Sequence, residues 1–112
     1  MPNPTSYPLF EHWYKTNNYI LDRCEQLPKS VRFTISSRMM TLSMEVLELI
    51  IEAIYSKERK PILRKINLHL EKLRVFFRLC KDRRYISIQQ YGQVFKMINE
   101  AGKMCGGWLK SL

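Results

Sequence analysis

A chain of 112 residues is long enough for one domain with a real core and too short for two. Lys and Arg total 19 against 10 Asp and Glu, a formal net charge of +9 with a pI near 9.7. No uncharged apolar run approaches the roughly 18 residues that a membrane-spanning helix needs. The charge is lopsided: residues 1–56 carry five basic and six acidic side chains, whereas residues 57–112 carry fourteen and four. Such a field favours a polyanionic partner such as nucleic acid, an anionic membrane surface or an acidic protein.

Residues 1–8, with Pro2, Pro4 and Pro8, read as an irregular lead-in whose prolines prevent a helix, and one domain is expected over residues 9–112. From Leu9 the pattern turns helical, with Leu9, Trp13, Ile20, Cys24 and Leu27 near one face at 3.6 residues per turn. Pro28 marks a break or a new first turn. A second helix is expected over residues 29–55, with a core line of Ile35, Met39, Leu42, Val46, Leu49 and Ala53. Beside it runs a second apolar line of Met40, Met44, Leu47, Ile51 and Ile54. A helix apolar on two sides must be covered on two sides. Either a second copy of the chain covers the Met40–Ile54 line as an oligomer interface, or this helix is the most central of its bundle.

Residues 56–60 form a charged turn, and Pro61 suits the first turn of a third helix whose core line is Ile62, Ile66, Leu70, Leu73, Phe77 and Cys80. After a turn at residues 82–85, Ser87 and Gln90 read as a capping box opening a fourth helix. Its expected core line is Ile88, Tyr91, Phe95, Ile98, Gly102, Cys105 and Leu109. Gly102 and Gly106 share a face and each costs about 1 kcal/mol relative to Ala, which a close approach by another helix offsets; alternatively Gly106 and Gly107 end the helix. Short connections make sequential helices antiparallel, so the expected fold is all-α, an up-down four-helix bundle.

Little in the sequence points to catalysis, a metal or a cofactor, and none is expected. His12 and His69 lie on different helices without an HExxH spacing. Glu45, Glu48 and Glu52 share a face but lack the Glu-x-x-His partners of a di-iron site, and read as a solvated face or as intersubunit ion pairs. Cys24, Cys80 and Cys105 are odd in number and widely spaced, which fits buried reduced thiols and no disulfide framework. Residues 1–10 have neither a basic n-region nor an apolar h-region, so the expected location is the cytoplasm.

The stronger signal is basic. Eleven basic residues against three acids lie within residues 57–84. Arg64, Arg74, Arg78 and Lys81 follow helical spacing beside the apolar line, Arg83 and Arg84 extend them into the turn, and Glu71 interrupts the stripe. The planar guanidinium suits bidentate phosphate contacts. This face is expected to bind RNA or DNA backbone, largely independently of sequence and with steep salt dependence.

Several stretches, in order, carry a resemblance. They are Phe10-Glu11-His12-Trp13-Tyr14, Leu27-Pro28-Lys29 with Arg32-Phe33-Thr34, Leu47-Glu48-Leu49-Ile50-Ile51-Glu52-Ala53, Leu70-Glu71-Lys72-Leu73-Arg74, Ser87-x-x-Gln90-Tyr91 and Gly106-Gly107-Trp108-Leu109-Lys110. With these the chain resembles the accessory variability determinant proteins of diversity-generating retroelements, and the wider set of four-helix proteins encoded in intervening sequences of bacterial large ribosomal RNA genes. The resemblance implies an up-down bundle assembled as a homopentameric barrel with a basic surface. It also implies association with the element's reverse transcriptase and with nucleic acid in mutagenic copying, and no catalytic residue. The transferable positions are the basic ones of the third helix. For the ribosomal branch it implies a structural or RNA-interaction role.

Overall fold

Pro8 sits in the first turn of helix α1 (Pro8–Glu25), where its missing N–H has no intrahelical partner to lose. The structure, a computed structural model, describes residues 4–112; of the expected irregular lead-in, residues 1–3 lie outside the described residues. Prolines do not exclude helical geometry from the rest of it: Pro4–Ser6 forms a 3-10 turn, closed by Tyr7 N–H donating to the Pro4 carbonyl at 3.1 Å.

The other helices are α2 (Ser37–Tyr55), α3 (Arg59–Asp82) and α4 (Ile88–Lys110), with no strand among the described residues. α2 starts later than the sequence pattern indicates. α1 ends at Glu25, Pro28 leads into a 3-10 turn at Lys29–Val31, and Arg32–Ser36 forms a π turn before regular geometry begins. The widened turn buries Val31 and Ser36 and leaves the intervening Arg32, Phe33 and Thr34 in solvent.

Each helix packs against its two neighbours around a square: α1 on α2 and α4, α3 on α2 and α4. Cross-helix contacts run in opposite order along paired helices, as in an antiparallel up-down bundle. On α2 and α3, Met39 meets Cys80 while Glu45 meets His69; on α3 and α4, Leu63 meets Cys105 while Arg74 meets Asn99. The bundle measures 43 × 22 × 21 Å.

The lines expected on α1 and α3 form the core: Trp13, Ile20, Ile66, Leu70, Leu73 and Phe77 are essentially inaccessible. Full burial of each large apolar side chain contributes about 1.5–3 kcal/mol. Leu63 joins them in place of Ile62, which is half-buried. On α2, Met39, Val46, Leu49 and Ala53 are buried as expected, whereas Leu42, and Ile35 in the preceding π turn, lie at the margin. The α4 line differs more. Ile88 is 80% exposed and Phe95 is also exposed, and the helix buries Val94, Ile98, Ala101 and Cys105. The core-facing stripe thus keeps Ile98 and Cys105 of the expected line and takes Val94 and Ala101, one residue earlier, in place of Phe95 and Gly102.

The turns have identifiable causes. The capping box at Ser87 and Gln90 is formed in both directions, at 3.0 and 2.9 Å. At the end of α3, Tyr85 N–H donates to the Cys80 carbonyl at 2.8 Å and Arg84 adopts φ 62°, the left-handed position that helix ends usually give to glycine. Arg59 closes α2: its guanidinium donates to the carbonyls of Ala53, Ser56 and Ile54 at 3.0, 3.1 and 3.1 Å. Gly106 and Gly107 do not end α4, which continues to Lys110.

Candidate nucleic-acid interface

α3 turns its apolar stripe inward, so its basic residues are distributed over the flanks and outer face. Arg64 and Arg84 are exposed and form no ion pair among the described residues. Arg78 is exposed, and its 3.8 Å approach to Asp82 is a surface pair that adds little and leaves the guanidinium accessible. Lys81 lies 3.5 Å from Asp82 and 4.8 Å from the Tyr91 ring centroid. Arg83 donates through Nε to the Tyr85 hydroxyl at 2.8 Å and remains exposed.

Arg74 does not belong to the open set expected from its spacing. Its side chain is 22% exposed; Nε donates to Asn99 Oδ1 of α4 at 2.7 Å and Nη1 to Glu71 Oε2 at 3.1 Å. Gly102 makes room for it, since a Cβ there would lie 2.9 Å from Nη2. Arg74 is therefore a tie between α3 and α4. Spacing alone could not separate it from Arg78, because the difference lies in what α4 presents opposite.

Between the arginines the outer face of α3 also carries exposed Leu68, Val75 and Leu79, which a search for charge passes over. The face is mixed apolar and basic, a composition suited to macromolecular contact.

Of the five residues expected at an oligomer interface, Met44 and Ile51 are exposed, and Met40 and Leu47 are half-buried against the core. Ile54 is a correction. At 1% exposure it belongs to the monomer core, turned inward with Ile50, a residue that neither expected line of this helix contains. The central-helix reading thus accounts for part of that line, and Met44 and Ile51 remain as its outward part.

Glu45, Glu48 and Glu52 border a 350 Å³ cavity with Lys65 and His69. The buried His69 ring is held by the Lys65 carbonyl at 3.0 Å and Glu45 Oε1 at 3.2 Å, which makes it a strut between α2 and α3. His12 Nε2 donates to the Met97 carbonyl at 2.7 Å and links α1 to α4. Among the described residues no three His, Cys, Asp or Glu side chains are grouped to hold a metal ion. The three thiols are buried and free; burial pushes Cys24 up to about 12 and Cys80 and Cys105 up to about 11, which suppresses the nucleophilic thiolate. Among the described residues no helix is long and apolar enough to cross a membrane.

The arrangement offers exposed guanidinium groups on one helix face and its adjoining turn, set on a rigid bundle. Chemically it can hold a polyanion. A family model described as bAvd-like matches residues 9–112, all but the first eight residues, and no curated protein matches the chain.

Proposed function

The chain belongs to the bAvd-like family, and from that premise we propose that it is a non-catalytic accessory protein of a diversity-generating retroelement. It binds the element's reverse transcriptase and the template nucleic acid through its basic surface and supports mutagenic reverse transcription. One observation carries this reading. Arg64, Arg78, Arg83 and Arg84 stand exposed on α3 and its C-terminal turn, in a half-chain whose net charge is +10 by count, fourteen basic against four acidic residues. The protein contributes proximity and charge and leaves the chemistry to its partner. The outward Met44 and Ile51 of α2 support self-association, for which the family resemblance implies a pentameric barrel. Action on a nucleic acid made in the cell places the protein in the cytoplasm.

Phosphate contacts release counterions, so each cation that touches backbone steepens the salt dependence by about one unit of log affinity per log salt. The test is a salt titration of RNA binding by wild type and by Arg64→Ala/Arg78→Ala/Arg83→Ala/Arg84→Ala, paired with co-purification of the reverse transcriptase. The variant is expected to bind more weakly with a shallower slope and to lose the enzyme. An unchanged slope with unchanged affinity refutes the basic-face reading. RNA binding retained by wild type with no reverse transcriptase encoded nearby, and the gene inside a ribosomal RNA locus, moves the protein to the intervening-sequence role.

A further inference from the structure

We infer that the connection between α1 and α2 is a seat for one unpaired base of single-stranded nucleic acid, with Phe33 as its stacking surface and Lys29 and Arg32 as its phosphate contacts. The inference rests on the nucleic-acid reading above and adds the form of nucleic acid and a second contact point, away from the basic face of α3.

Phe33 is 87% exposed, the most accessible large hydrophobic side chain among the described residues. The π turn holds it there, because a widened turn that buries Val31 and Ser36 directs the residues between them outward. Burying a phenyl ring contributes about 1.5–3 kcal/mol, and the bundle forgoes that at Phe33. Beside the ring lies a 640 Å³ cavity in the size range of small-ligand sites. Cys24, Leu27 and Met40 give it an apolar lining, Ser36 and Ser37 add hydroxyls, and exposed Lys29 and Arg32 stand at its edge.

A base supplies a flat apolar face for the ring and lining, polar edges for the hydroxyls, and a phosphate for the cations. Base stacking on an aromatic side chain needs a face free of neighbours, which a duplex interior lacks and a single strand offers. Glu25 borders the same cavity. Its carboxylate repels an acidic peptide but can accept a hydrogen bond from an exocyclic amine. Residues 23–38 carry four cations (Arg23, Lys29, Arg32, Arg38) against that one acid. The Met39–Cys80 sulfur contact of 3.8 Å sets the start of α2 beside the end of α3, so Arg83 and Arg84 lie at the same end of the bundle as this connection.

The experiment compares binding of a short unpaired RNA and a duplex of equal length by wild type, Phe33→Ala and Phe33→Trp at one salt concentration. Phe33 is exposed, so unfolding midpoints should match and confirm that all three fold. Phe33→Ala should weaken single-strand binding about tenfold, the scale of one lost stack, and leave duplex binding within about twofold. Phe33→Trp should retain affinity, with indole fluorescence quenched by the single strand alone. Single-strand binding unchanged in Phe33→Ala overturns the seat while leaving the nucleic-acid reading standing. Loss of oligomer mass without loss of binding also overturns it and makes Phe33 a subunit contact. Absence of binding to either form by wild type refutes the preceding reading, and this one with it.

Discussion

The Arg74 guanidinium fills the space that a side chain at Gly102 would need, with Nη2 only 2.9 Å from the position of a Cβ. The absence of that carbon lets α3 and α4 be joined through Asn99 by a charge-assisted hydrogen bond of 2.7 Å. Gly106, one turn on, has nothing within 4 Å of its own Cβ position. Gly106→Ala should therefore stabilise the protein by about 0.5–1 kcal/mol in denaturant unfolding, the ordinary helix gain. Gly102→Ala should show little or none of that gain, and should recover it when combined with Arg74→Ala. Equal stabilisation by Gly102→Ala and Gly106→Ala in the wild-type background sinks this account.

Arg59 ends α2 by donating to the Ala53 and Ile54 carbonyls of its last turn and to that of the C-cap residue Ser56, and packs its guanidinium 5.6 Å from the Trp108 ring centroid. Arg59→Ala should cost about 1–3 kcal/mol in unfolding free energy. Arg59→Lys should recover only part of it, since an ammonium cannot reproduce the planar fork. Amide exchange in the last turn of α2 should quicken in both. Full recovery by lysine would show that charge alone closes the helix.

Between α1 and α2 lies a buried polar pair. The Ser43 hydroxyl donates to Asn17 Oδ1 at 2.6 Å, beside the Trp13 indole N–H donating to the Ser43 carbonyl at 3.0 Å. Asn17→Ala strands the hydroxyl and should cost about 1–3 kcal/mol. In a double-mutant cycle, Asn17→Ala/Ser43→Ala should cost clearly less than the sum of the single changes. Strict additivity would mean that the two groups are energetically independent.

The cysteines set an alkaline limit. Burial raises Cys24 to about 12 and Cys80 and Cys105 to about 11, from an ordinary 9.0. The folded state therefore holds these protons more tightly than the unfolded chain. The associated stability is complete below pH 9 and is lost as pH rises through 11 to 12, the folded values. Replacing the three by alanine should flatten the fall in unfolding free energy between pH 9 and those values, whatever its effect at neutral pH. The native thiols should also resist alkylation until the protein unfolds. Rapid labelling of the folded protein would contradict their burial.

The number of helices, their order and the inward faces of α1 and α3 are legible in the spacing of Trp13, Ile20, Ile66, Leu70 and Phe77, because a helix with one apolar stripe has only one face to bury. The capping box at Ser87 is legible for a similar reason: it is closed within four residues. The bAvd-like membership is likewise a property of the sequence, carried along residues 9–112. What lay beyond its reach is the rotation of α2 and α4 about their own axes. α4 holds apolar residues at both Val94 and Phe95, and α2 at both Ile51 and Ile54; only the neighbouring helices determine which member of each pair is buried. The same holds for charge. Arg74 and Arg78 are chemically identical and one turn apart, yet one is fastened across the bundle and the other stands in solvent, because Asn99 and Gly102 lie opposite the first and nothing comparable lies opposite the second. Periodicity is a local property and can be read along a chain, whereas the partner of a side chain is a relation between distant segments and exists only once the helices have packed.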